Sequence, residues 1–436
     1  EARSLVRLAV PLVIGQLSAM GMQVVDNVLA GHLGASVLGA TSLGGNVFAL
    51  ALVAVTGVMM ALPPSVAQLH GEGRAREVGA LFRQALWLAL GLGLMLQQAV
   101  WWGGPALVGA SGVAPELVAG AGGFLRAVSL GVPALALLLA CRGLSDGLGM
   151  TLPGMVAGLL GLLVLAPVGF VLMYGGLGVP GMGAVGSGLA TAAVLWGEAL
   201  GLAAYLRLSP RFRGLGWGAG RRGPDAALLG GLVRLGAPIA VGLLLEVGLF
   251  TTAGLVIGGF GASVVAGHQL ALNVAGVAFM VPLGIAMAIT VRVGAAVGRG
   301  DPRGARRAGL VGVGLTLVTQ AVSCAVIALF PGALIAAYTQ DAAVAASAGP
   351  LLRLACVFQF SDGVQVASGG ALRGLKDTRV PMAISALSYW AVGMPVGLLL
   401  AFPGGMRAQG MWVGIIAGLS CAAVCLFARF RARSGR

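Results

Sequence analysis

Lysine is almost missing from this sequence, Lys376 being the only one, and acids are scarce, with 13 Asp and Glu among 436 residues. Charged residues make up 9% of the chain, against about 25% in soluble domains. Such a chain cannot clothe itself for water, which excludes a soluble enzyme or binding module. Metal chemistry has little to draw on, because His32, His70 and His268 are too scattered for a triad. Cys141, Cys324, Cys356, Cys421 and Cys425 fall in or beside apolar runs and read as small packing residues. No disulfide framework or zinc set is spelled out.

What is present is apolar: 58% hydrophobic residues, 75 glycines and a mean hydropathy of +0.98. A hydrocarbon core of ~30 Å takes about 20 apolar residues per helical crossing. Cutting at charges and Gly/Pro clusters gives twelve candidate helices, near 5–30, 43–69, 84–108, 119–141, 151–173, 180–206, 236–258, 264–291, 308–330, 350–371, 380–402 and 409–428. The expected fold is all-α and polytopic. The first apolar run shows no small-residue cleavage pattern, so no cleavable signal peptide is expected.

A net charge of +14 would suggest nucleic acid in a soluble protein, but here position decides. Of the 27 Lys and Arg, 24 fall in alternate connections and at the two ends, among them Arg142, Arg221, Arg222, Arg373 and Arg436. Only Arg126, Arg353 and Arg407 belong to the other side, where Arg126 and Arg353 are expected to snorkel from the first turn of their helices. By the positive-inside rule both ends are cytoplasmic and no nucleic acid is involved.

The chain repeats itself. At an offset of 227, Arg7, Leu8, Pro11 and Gly15 pair with Arg234, Leu235, Pro238 and Gly242, and Gly34-Ala35-Ser36 pairs with Gly261-Ala262-Ser263. Asn46-Val47 meets Asn273-Val274, and at an offset of 231 Arg142-Gly143-Leu144 meets Arg373-Gly374-Leu375. The expected organisation is therefore two pseudo-symmetric six-helix lobes, 1–206 and 234–436, joined by a cytoplasmic linker at 207–233. Repeated halves that rock against each other are the common plan of secondary transporters.

Four acids stand inside candidate helices: Asp26, Glu198, Glu246 and Asp362. A carboxylate at bilayer depth costs several kcal/mol and by default marks an ion or substrate pathway. At 1.5 Å per residue, Glu246 and Asp362 lie near the midplane, about 18 Å and 16 Å from Arg234 and Arg373. Asp26 lies higher in the other lobe. Glu198, nearer Arg207, reads as a carboxyl by the inner interface, protonated or paired with a neighbouring arginine. Enzyme motifs fail: GxGxxG at Gly181–Gly186 follows no strand, and GxSxG at Gly143–Gly147 has no serine in its repeat mate.

Four stretches together carry a family resemblance: Val24-Val25-Asp26-Asn27 running to Leu33-Gly34-Ala35, Ala61–Gly71, Gly267–Gly294 and Phe358–Pro381. Over nearly the whole chain they resemble the multidrug and toxic compound extrusion (MATE) transporters, in the bacterial NorM-type branch. The resemblance implies an inner-membrane antiporter that exports amphipathic cationic drugs by alternating access, driven by Na⁺ or H⁺. No cofactor and no obligate protein partner are implied beyond the ion and the membrane lipids. It places coupling on Glu246 and Asp362, with Na⁺ possible there, and a substrate or proton role on Asp26. Asn27, Asn46, Gln269 and Asn273 are the supporting polar candidates. Where this branch usually carries fifth-helix asparagines beside the first-helix Asp, this chain has Leu165 and Gly169. The alternative, a lipid-linked precursor flippase of similar build, would need a strongly cationic cavity, whereas the membrane charges here are mostly acidic.

Overall fold

The computed structural model describes residues 1–436 except 111, 113, 177, 218–222 and 436, so Arg221, Arg222 and Arg436 lie outside the described residues. Among the described residues, eleven helices are long and apolar enough to cross a membrane, and a bent pair makes a twelfth. In chain order they are α1 (Ala2–His32), α2 (Ala35–Gly71), α3 (Ala75–Ala110), α4 (Pro115–Ser129 with Val132–Gly147) and α5 (Leu152–Tyr174). There follow α6 (Gly183–Leu208), α7 (Ala226–Gly258), α8 (Ala262–Gly298), α9 (Pro302–Leu329), α10 (Ala342–Gly374), α11 (Arg379–Ala401) and α12 (Arg407–Arg433). A short antiparallel hairpin, β1 (Gly175–Gly176) and β2 (Val179–Pro180), joins α5 to α6. The fold is an all-α polytopic membrane protein.

Breaks and starts follow local chemistry. The 42° bend of α4 falls just before Pro133, which has no N–H to continue the ladder. Asp301 caps α9 by accepting from Gly304 N at 2.7 Å, and Asp341 caps α10 by accepting from Ala343 N at 2.7 Å. Gly34 and Gly261, repeat mates, turn the chain at φ 115° and 113°, where a side chain would be strained.

Several helices start well before the apolar stretch that announces them, α7 at Ala226 and α10 at Ala342. Hydropathy marks only the part in hydrocarbon, while the backbone ladder continues into the interface. Two expectations change with it. Arg126 and Arg353 sit about three turns into α4 and α10 rather than in the first turn, although both are exposed. Arg142 and Arg373 lie within α4 and α10, not in loops.

The chain forms two compact units that do not divide where the repeat divides it: one holds 1–13 with 241–436, the other 14–240. The expected halves 1–206 and 234–436 thus exchange the starts of their first helices, each two residues beyond a proline, Pro11 or Pro238. Packing explains the exchange. In the first unit Leu5, Ala9 and Leu12 are buried with Ile285, Ala288 and Ile289, and Glu1 pairs with Arg292 at 2.9 Å. In the second, Leu232 joins the core of Val55, Met59 and Leu62. A Cβ at Gly284 would meet Val13, and one at Gly57 would meet Ala240, the same contact at repeat-related positions. Residues of the expected linker also pack: Phe212 and Leu215 are buried, Trp217 stacks edge-on to Phe82, and Gln84 bonds Gly223 O and Asp225 N.

Candidate functional site

In the unit that contains α8 to α12, Glu246 projects from α7 and Asp362 from α10. Asp362 is 3% exposed, and Glu246 is the charged group that acts on it. Two donors reach the same oxygen of Glu246 at 3.5 Å: Gln365 Nε2 from α10, one turn beyond Asp362, and the Tyr389 hydroxyl from α11. Tyr389 is fully buried in a π-helical turn, Leu387–Gly393, where the widened backbone turns its ring inward. Gly363 lets α9 come close, since a Cβ there would stand 2.8 Å from Gln320 Cγ. Gln320 then donates to Gln359 O at 2.9 Å.

Orphaned polar atoms gather in this cluster. Asp362 Oδ1, Gln365 Oε1 and Gln320 Oε1 are buried acceptors without a hydrogen-bond partner, and Gln359 Nε2 is a buried donor without one. Each orphaned acceptor costs about 1–3 kcal/mol, and a proton or small cation bound at Asp362 would relieve its carboxylate. Among the described residues, the cation that acts on Glu246 is Arg373, in the last turn of α10, whose own Nε and Nη2 are unpartnered.

The other unit holds Asp26, partly buried on α1. Thr191 donates to its Oδ2 at 3.0 Å and Ser187 to its Oδ1 at 3.4 Å, both from α6. The fifth helix supplies what the sequence implied: Leu165, 1% exposed, and Gly169, which lets Leu29 lie close. Polar support for Asp26 thus comes from α6. Ser187 and Thr191 escape a search for charges, though their i, i+4 spacing on an apolar helix is a readable signal. Glu198 lies further along the same helix, 7% exposed, and its charged partner is Arg142, not Arg207.

Asn27, Asn46, Gln269 and Asn273 all lie on exposed faces of their helices, and none is hydrogen-bonded to Asp26, Glu246 or Asp362. Next to Gln269, buried His268 accepts from Trp412 Nε1 at 3.0 Å, inside an aromatic cluster with Phe358. Among the described residues, no three His, Cys, Asp or Glu come together as a metal cluster would require.

Comparison with known proteins agrees with this architecture. The MatE family model matches residues 11–171 and 238–399, one match to each repeat. A probable multidrug resistance protein NorM of Xanthomonas campestris pv. campestris is 48% identical over 100% of this chain and 95% of its own length. The multidrug resistance protein PmpM of Pseudomonas aeruginosa is 40% identical over 100% of this chain and 92% of its own. A solved outward-facing multidrug resistance MATE family transporter of the MOP superfamily shares the fold, with a TM-score of 0.92 at 21% identity, covering 100% of this chain and 96% of that one. The chain belongs to the MATE family of membrane transporters, in its bacterial NorM-type branch.

Proposed function

We propose that the chain is a cation-coupled multidrug efflux antiporter of a bacterial inner membrane, with both ends cytoplasmic, exporting amphipathic organic cations by alternating access. The observation that carries this reading is the buried carboxyl of Asp362, acted on by Glu246, with Asp362 Oδ1 and Gln365 Oε1 lacking a donor. Two carboxylates acting on each other at low dielectric resist being ionised together. A proton or a desolvated Na⁺ relieves both the repulsion and the missing hydrogen bonds.

Drug and ion are then linked through charge. A cationic drug is favoured while the carboxylates are ionised and disfavoured once the ion has neutralised them, so ion entry and drug release drive each other. The similarity to NorM and PmpM supports drugs as the substrate class. Asp26, held by Thr191 and Ser187, is the second acidic station, serving drug or proton. The even number of spans, counting the bent pair as one, and the cytoplasmic arginines support the topology. No cofactor or obligate protein partner enters the scheme, and lipid is the surroundings.

The test is efflux of an ethidium-like cation from proteoliposomes under a pH gradient alone and then a Na⁺ gradient alone. Efflux under at least one gradient, lost when that gradient is collapsed, is expected. Efflux indifferent to both, or restricted to anionic drugs, would overturn the reading.

A further inference from the structure

A second buried charge cluster lies in the unit that contains Asp26. The fifth helix presents Gly154, Gly158 and Gly161 on one face, four and then three residues apart. Arg142, from α4, lies along this face: its Nη2 donates to Gly154 O at 2.8 Å, and a Cβ at Gly158 would stand 2.8 Å from Nη2. Glu198, from α6, lays its carboxyl over the next glycine, since a Cβ at Gly161 would overlap its Oε1. Residues three apart on a helix lie roughly 5–6 Å from one another, so guanidinium and carboxylate are neighbours. Yet Glu198 Oε1 and Arg142 Nε are buried without hydrogen-bond partners. One turn beyond Arg142, Asp146 is 4% exposed, under the influence of the same guanidinium, with its Oδ1 unpartnered.

Counting charges decides what is missing. One buried cation faces two buried acids, so with both acids ionised the cluster carries one uncompensated negative charge, which is costly in a low dielectric. Among the described residues, no other charged group acts on Glu198 or Asp146. Of the elements packed against α6, α1 carries Asp26, a third acid, on the side of Met22 and Val25. The fifth helix carries no charged side chain, α2 only His70 near its end, and α6 itself Arg207 in its last turn. The first segment of α4 carries Glu116 and Arg126, while Arg211 and Arg213 sit on the turn after α6. A metal cation needs several oxygen ligands, and among the described residues no three His, Cys, Asp or Glu come together to hold one. A proton needs a single oxygen. It would also leave the charge of Arg142 balanced by that of Asp146. We propose that Glu198, beside Arg142 on the glycine face of α5, is a proton-binding site of this unit, separate from Asp26.

The inference is independent of drug transport, and its test reads protonation directly. Infrared difference spectra of the full chain in lipid nanodiscs, recorded between acid and alkaline pH, follow the carboxyl C=O stretch. One titrating component should vanish in Glu198→Gln and persist in Asp26→Asn. In Arg142→Gln, removing the cation should let that component form at a proton concentration about tenfold lower or less. Spectra of wild type and Glu198→Gln that coincide would overturn the proposal, as would a component unmoved by Arg142→Gln. Should Glu198→Gln not purify, Arg142→Gln carries the test alone.

Discussion

The acids Asp362 and Asp26 sit in units built on the same repeat, and their surroundings differ in one respect that matters. Around Asp362 and Glu246 the donors Gln365 and Tyr389 reach one Glu246 oxygen, at 3.5 Å, while Asp362 Oδ1 and Gln365 Oε1 stay orphaned, so bound positive charge would complete the cluster. Around Asp26 the neighbours are hydroxyl donors, Thr191 and Ser187, which satisfy the carboxylate as it stands. Under the proposed coupling, the first arrangement would take up the ion and the second would stay negative for an organic cation. Duplication supplied a common frame, and later side chains gave its halves different electrostatic tasks: the repeat mate of Asp26 is Ala253 and that of Glu246 is Ala19.

The comparison can be broken most severely by removing the acceptors. Glu246→Gln combined with Asp362→Asn should reduce gradient-driven efflux to that of empty liposomes while the protein still inserts and purifies, and undiminished efflux would remove the coupling assignment. On the other side, Thr191→Val deletes a hydrogen bond to a charged group, worth ~1.5–3 kcal/mol, and should lower export about tenfold. Ser187→Ala, with its longer bond of 3.4 Å, should lose less. Export equal to wild type in Thr191→Val would show that Asp26 does not depend on its donors.

The shared frame is tested by Gly57→Val and Gly284→Val. Each forces side-chain volume into a backbone contact, at a cost of ~1–3 kcal/mol, and both should lower the midpoint of thermal unfolding in detergent by similar amounts. A large shift in one and none in the other would mean that the two contacts are not equivalent. The smallest effect is expected from Tyr389→Phe, because its bond to Glu246 is 3.5 Å long; efflux should stay within about threefold of wild type.

The spans and the acids were legible in the sequence because each departs from the composition around it. Asp26, Glu198, Glu246 and Asp362 stand out in apolar runs since an ionised group there is expensive. Their neutral partners were not legible. Gln365, Tyr389, Ser187 and Thr191 cost little in a helix, and many similar residues, such as Thr316 and Ser368, lie buried elsewhere. Arg142 was misplaced for a different reason: cutting helices at charges ended the candidate helix at 141 and left Arg142 in the connection, whereas it ends on the glycine face of α5. Helix starts were misjudged because hydrogen bonding outlasts the hydrocarbon.

The exchange of α1 and α7 starts has a consequence for biosynthesis. Leu5, Ala9 and Leu12 are made long before packing partners such as Ile285 and Phe430. At ~5–20 residues per second, roughly 15–60 s separate Leu5 from Ile285, and for that interval the segment lacks these partners. The other unit, 14–240, is contiguous and has all of its residues, Leu232 and Ala240 included, once Ala240 has emerged. The two units are therefore completed in turn, and the one whose first segment is made earlier is completed last.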